Sequence, residues 1–150
     1  MATVDQIERN ILLPASRERV WRAITNPVEL CKWFASECEF RPEVGSPIRL
    51  VWQSGAVSLG VIEGIEPPSR FAFRWHAKPT PYTDPLTPAN STVVTFALKS
   101  VAGGTRLTVT ETGFAALPDP ARAHVLTENT SGWTAELEEL THYISTSETE

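Results

Sequence analysis

The chain has 150 residues, 41% hydrophobic and 21% charged, with 8 Gly and 12 Pro, a composition that excludes collagen-like, disordered and disulfide-scaffold classes. A net charge of −5 with no run of like charges presents no basic face to a phosphate backbone, which excludes nucleic acid as an expected partner. No stretch reaches the ~18 apolar residues of a membrane span and no basic region precedes an apolar one near the start, so a cytoplasmic protein is expected.

Residues 6–13 alternate, with Ile7, Ile11 and Leu13 apolar, and predict a half-buried strand that ends at Pro14. Ser16 can then accept a first-turn N–H ahead of residues 17–24, where Val20, Trp21 and Ile24 share a helical face. Asn26-Pro27 marks a second start, for a short helix over residues 28–34. From residue 37 to residue 111 the pattern changes to strands: 48–53, 57–65, 70–76, 91–98 and 105–111, the last two a hairpin across Gly103-Gly104. Between them, Pro79, Pro81, Pro85 and Pro88 mark residues 77–90 as a long loop and a candidate lid. Asp119-Pro120 opens a long helix in which Trp133, Leu137, Leu140 and Ile144 step by four, three and four. Gly132 in that run costs about 1 kcal/mol relative to Ala, so it bends the helix or makes room for something close by.

Grouped strands and segregated helices read as α+β, with an antiparallel sheet curling around one long C-terminal helix. One domain over residues 1–150 is expected, burying roughly 70% of the surface that the unfolded chain exposes. A strongly curved sheet and a single helix leave a gap between them, and that gap is a natural ligand cavity. Five Trp against one Met bear on it, because a Trp ring carries a large apolar area and an N–H that needs a partner. Trp33 and Phe34, ending the second helix, either gate a ligand or pack that helix on the sheet. Trp52 and Trp75 close strands and become walls if they point inward, with Phe73 and Phe96 on strands that face the helix. Gly132, Trp133 and Leu137 supply the helix side. Trp21 reads as ordinary core.

His76 and Glu111 end strands whose apolar faces line the interior, and a buried His beside a carboxylate can act as a general base. A simpler role pairs Glu111 with Arg106 or Arg74 across neighbouring strands. No GxSxG elbow exists, so a Ser-His-Asp arrangement has no support and no residue is assigned to catalysis. Cys31 and Cys38 form no CxxC pair, and His76, His124 and His142 are scattered, so reduced thiols, no metal and no cofactor are expected.

The segments Pro14-Ala-Ser-Arg-Glu-Arg-Val-Trp-Arg-Ala-Ile-Thr-Asn-Pro27, Leu30-Cys-Lys-Trp-Phe34, Gly60-Val-Ile-Glu-Gly-Ile-Glu-Pro-Pro68, Phe73-Arg-Trp75, Gly104-Thr-Arg-Leu-Thr-Val-Thr-Glu-Thr-Gly-Phe114 and Gly132-Trp133 together resemble the START-like (SRPBCC) superfamily. Among its branches they look most like the heat-shock-protein ATPase activator homologues (AHSA-type). The resemblance implies a helix-grip (START-like, Bet v 1-like) fold: a curved antiparallel sheet around a long C-terminal helix, two short helices after the first strand, and an apolar cavity inside. Members include lipid and hormone binders, polyketide cyclases and aromatases, oxygenase domains and co-chaperone modules, so fold alone leaves function open. The leading expectation is non-enzymatic binding of an apolar small molecule (lipid, aromatic or polyketide-like). Its alternatives are a co-chaperone-like module that meets a heat-shock-protein ATPase in the stress response, and a cyclase or hydrolase using the same cavity. The partner expected is that ligand, with a chaperone under the alternative reading, and the chain is expected to be a monomer or homodimer.

Overall fold

A computed structural model describes residues 5–77, 85–119 and 121–146. The alternation at the start forms strand β1 (Gln6–Leu13), with Ile7 and Leu13 buried. Pro14 ends it, and Ser16 caps helix α1 (Arg17–Thr25), its Oγ accepting the Arg19 N–H at 3.1 Å. Asn26 does the same for helix α2 (Pro27–Leu30), its carboxamide oxygen accepting from Val28 at 2.9 Å. The second helix is therefore shorter than the predicted 28–34. Beyond Leu30 the chain tightens, with the Lys32 N–H on the Glu29 carbonyl at 2.9 Å and the Trp33 N–H on that of Leu30 at 3.3 Å. These three-residue spacings are 3-10-like, and they end with Trp33 and Phe34 buried.

Strands β2 (Glu37–Glu39), β3 (Pro47–Val51), β4 (Val57–Glu66), β5 (Arg70–His76), β6 (Ser91–Val101) and β7 (Gly104–Thr112) follow. With β1 they form a seven-stranded sheet in the order β1-β7-β6-β5-β4-β3-β2, every pair antiparallel. The three-residue β2 was not singled out in the sequence because a strand that short carries almost no pattern of its own. The β6–β7 hairpin turns at Ala102-Gly103, and Gly103 at φ +89° supplies the left-handed residue the turn needs. A bulge between Ile62 and Gly64 disturbs the β4–β5 ladder, a device that bends a strand and raises its twist.

Helix α3 (Ala121–Thr146) runs through Gly132 without a break. It lies on one face of the sheet: Trp133 stacks on Trp75 of β5 at 6.2 Å and meets Phe96 of β6 edge-on at 5.9 Å. Val125, Trp133, Leu137, Leu140 and Ile144 are all buried, as the four-three-four stripe requires. Phe71, Phe73, Phe96 and Phe114 are fully buried in the same core, each worth about 1.5–3 kcal/mol of transfer free energy. Trp21 of α1 is partly buried and packs edge-on against Phe71 at 6.5 Å. The result is the α+β helix-grip arrangement. Residues 78–84 of the expected 77–90 loop, residue 120 of the expected Asp119-Pro120 helix start, and the chain end beyond residue 146 lie outside the described residues. No described helix is long and apolar enough to cross a membrane.

Candidate functional site: an aromatic cavity over a buried carboxyl

Phe34 sits at the centre of a cluster of rings. It stacks on Trp75 at 6.2 Å and on Trp133 at 5.5 Å, and meets Trp52 edge-on at 5.1 Å. Most of the space between sheet and helix is thereby filled, but a cavity of about 240 Å³ remains beside the cluster. Phe34, Trp52, Trp75 and Trp133 wall it, Ser54, Ala56 and Ser58 come from the β3–β4 hairpin, and Asn129, Gly132 and Glu136 come from α3. His76 and Ala77 close the β5 end. Gly132 contributes by what it lacks: a Cβ there would meet nothing within 4 Å, so the absent side chain is part of the opening.

Under the indoles lies Glu111 of β7, with no exposed surface. Its Oε1 accepts from Trp133 Nε1 at 2.8 Å and from Asn129 Nδ2 at 3.1 Å. Its Oε2 accepts from Thr92 Oγ1 at 2.6 Å, from Asn129 Nδ2 at 2.9 Å and from Trp75 Nε1 at 3.1 Å. Trp75 also donates to Thr92 Oγ1 at 3.1 Å, which commits the Thr92 hydroxyl proton to Glu111. Four neutral donors thus surround one carboxyl, the setting of an acceptor-only carboxylate. Three of those donors, Trp75, Asn129 and Trp133, are cavity residues. One buried group therefore orients three residues of the wall.

Of the residues singled out in the sequence, Phe34, Trp52, Trp75, His76, Gly132 and Trp133 meet at the cavity. Trp33, Phe73, Phe96, Leu137 and Glu111 do not line it. Trp33 packs against Phe34 at 5.2 Å and sends its Nε1 H to the Ala23 carbonyl at 2.9 Å, which ties the segment after α2 to α1. Phe73 and Phe96 are fully buried in the core, and Leu137 borders a different groove, between α3 and β1, together with Arg9 and Ile11. Glu111 pairs with neither Arg106 nor Arg74. Arg74 instead reaches Glu63 at 3.0 Å and Ser91 Oγ at 2.8 Å. Nor is His76 among the partners of Glu111, so the pair is not arranged as a general base and its orienting carboxylate.

Sequence reasoning missed Asn129, Glu136 and the serines. Asn129 and Glu136 stand four residues before and three after Trp133, the spacing that places side chains on one helical face, and that spacing could have found them. Ser58 gave no such signal; it accepts the Trp52 Nε1 H at 2.8 Å across the hairpin. Burial, reinforced by the charge of Glu139, pushes the Glu136 carboxyl up to about 7. Burial likewise pushes the Cys38 thiol up to about 12, beyond thiolate chemistry at neutral pH. Among the described residues no cluster of three or more His, Cys, Asp or Glu side chains could hold a metal ion.

A family model described as Activator of Hsp90 ATPase homolog 1-like protein matches residues 14–145. The chain belongs to this family. Protein MLL2253 from Mesorhizobium loti has the same fold at TM-score 0.80 and 22% identity, over 96% of this chain and 99% of that one. The Aha1 dimer from Colwellia psychrerythraea is similar at TM-score 0.76 and 18% identity, over 94% of this chain and 96% of that one. CalU16 from Micromonospora echinospora aligns at TM-score 0.66 and 24% identity, over 93% of this chain and 74% of that one. No curated protein matches by sequence. At these identities the solved structures show the START-like fold of this AHSA-type chain and nothing narrower.

Proposed function

We propose that this protein binds a small apolar, ring-containing molecule in the cavity between the β3–β4 hairpin, the end of β5 and α3. The observation that carries the reading is the 240 Å³ space walled by four aromatic rings and edged by Ser54, Ser58, His76, Asn129 and Glu136. Apolar walls with a few converging polar groups are the usual composition of a ligand site. The volume lies between roughly 150 Å³, which takes a benzene, and the lower end of drug-sized pockets near ~300 Å³. One or two rings suit it better than a long acyl chain. Titration of one- and two-ring aromatic compounds against intrinsic Trp fluorescence tests this. Saturable quenching is expected for some of them, and a spectrum that no compound changes would overturn the reading.

The family description favours a second reading, contact with a heat-shock-protein ATPase, and the solved Aha1 dimer of C. psychrerythraea extends it to self-association. A rise in the ATPase rate on adding this protein supports that contact; an unchanged rate removes it.

A further inference from the structure

The polar groups of the cavity wall differ in whether they are already engaged. The indole N–H groups of Trp52, Trp75 and Trp133 are committed to Ser58 and Glu111, and the Asn129 amide nitrogen is committed to both oxygens of Glu111. Glu136, half-buried on the α3 side of the cavity, stands apart from these. Among the described residues its carboxyl meets no hydrogen-bond donor and no cation, and the charge that acts on it is that of Glu139, of like sign. An occupant of the cavity takes water away from this carboxyl, which is costly unless the occupant brings a donor in its place. An anionic substituent would make matters worse, because the described wall carries no Lys or Arg to balance it against Glu136.

We infer that Glu136 determines which ring the cavity takes: an otherwise apolar aromatic compound bearing one hydroxyl, a phenol, whose O–H donates to the Glu136 carboxyl. The inference rests on the cavity being a ligand site. A phenol suits the acceptor because it ionises only near ~10 and so keeps its proton at neutral pH. Hydrogen bonds from a hydroxyl to a carboxylate are also among the shorter and stronger kinds. A hydroxyl adds little bulk to a ring that must fit about 240 Å³. Besides Glu136, the titratable groups nearby are His76 on β5, Glu111 on β7 and Glu139 on α3. Burial and Glu139 push the Glu136 carboxyl up to about 7, so above that value it accepts as a carboxylate, and a hydroxyl that donates to it favours the ionised form.

4-Methylphenol, 1,4-dimethylbenzene and 4-methylbenzoate test this, because they share a ring and a methyl group and differ in a donor, a second methyl or an anion opposite it. Each is titrated into the full chain at a pH above the Glu136 transition and followed by the indole N–H resonances of Trp52, Trp75 and Trp133. Glu136→Met removes the acceptor at similar length, whereas Glu136→Gln keeps an acceptor carbonyl. The affinity ratio of the phenol to the hydrocarbon is expected to fall about tenfold in Glu136→Met and less in Glu136→Gln. The benzoate is expected to bind the parent most weakly of the three. A ratio that Glu136→Met leaves unchanged, or a benzoate that binds as tightly as the phenol, overturns the role of Glu136 and leaves cavity binding standing. Binding of neutral hydrocarbons with no response to the phenol has the same meaning. Indoles that no one- or two-ring compound moves overturn the ligand site itself.

Discussion

Glu111 shows how a single side chain sets the character of the site. A polar residue at a strand end reads in sequence as a catalytic candidate or an ion-pair partner, yet among the described residues its partners are four neutral donors. Hydrogen bonds to a charged acceptor contribute about 1.5–3 kcal/mol each, and a donor stranded in the interior costs about 1–3 kcal/mol. Glu111→Gln keeps the size but turns an amide N–H₂ toward donors, so it should lower stability by about 2–4 kcal/mol in urea unfolding; a loss below about 1 kcal/mol would refute the donor network. Glu136 should give a pH signature of opposite sign to that of a salt-bridged acid. Its folded value of about 7 lies above the ordinary 4.5, so the native state keeps a proton that the unfolded chain has lost. Its contribution is therefore fully present below about 4.5 and is lost as pH rises through about 7. Thermal unfolding of Glu136→Gln should gain on the parent from pH 4.5 to pH 8, and parallel profiles would show that burial does not hold the proton.

At the scale of elements, caps and periodicity were legible because they are local chemistry. The strand over Gln6–Leu13, the Ser16 and Asn26 caps and the α3 stripe all depend on residues within a turn or two of each other. The early end of α2 and the existence of β2 depend instead on contacts distant in sequence, such as the Ser36 N–H on the Val51 carbonyl at 2.8 Å. Such contacts leave no periodic trace. The α1–α2 corner is joined to α3 in the same long-range way: Glu29 accepts from Arg19 at 2.7 Å, Arg22 at 2.8 Å and the Tyr143 hydroxyl at 2.8 Å. Burial alone would raise the Glu29 carboxyl, but these three donors together hold it below its ordinary value. On the β4 side, two glycines of similar appearance differ in consequence. A Cβ at Gly60 would run into the backbone carbonyl of Arg74, whereas at Gly64 the one atom it would crowd is at the movable end of the Arg70 side chain. Gly60→Ala should thus cost about 1–3 kcal/mol and Gly64→Ala much less, measured by denaturant midpoint; equal costs would mean that β4 and β5 are not so closely apposed.

For the molecule as a whole, the helix-grip fold was legible while the site was only partly so. The aromatic residues were identified, but which of them border empty space depends on how Phe34, Trp75 and Trp133 pack against one another, a three-body outcome that one sequence does not encode locally. Trp33, which could gate a ligand or pack its helix, packs on Phe34 and is tied to α1, and Gly132, read as a bend or as room for something close by, lies on the cavity wall within an unbroken helix. That glycine gives the most direct measurement of cavity binding. Indole N–H resonances of the five Trp are followed while one- and two-ring compounds are titrated into the parent protein and into Gly132→Leu, which adds a side chain at the cavity wall where a Cβ meets nothing within 4 Å. Binding in the cavity predicts that Trp52, Trp75 and Trp133 shift saturably, that Trp21 shifts little, and that Gly132→Leu keeps the fold but loses the response. A folded Gly132→Leu protein with an undiminished response, or a parent whose indoles never move, would contradict it.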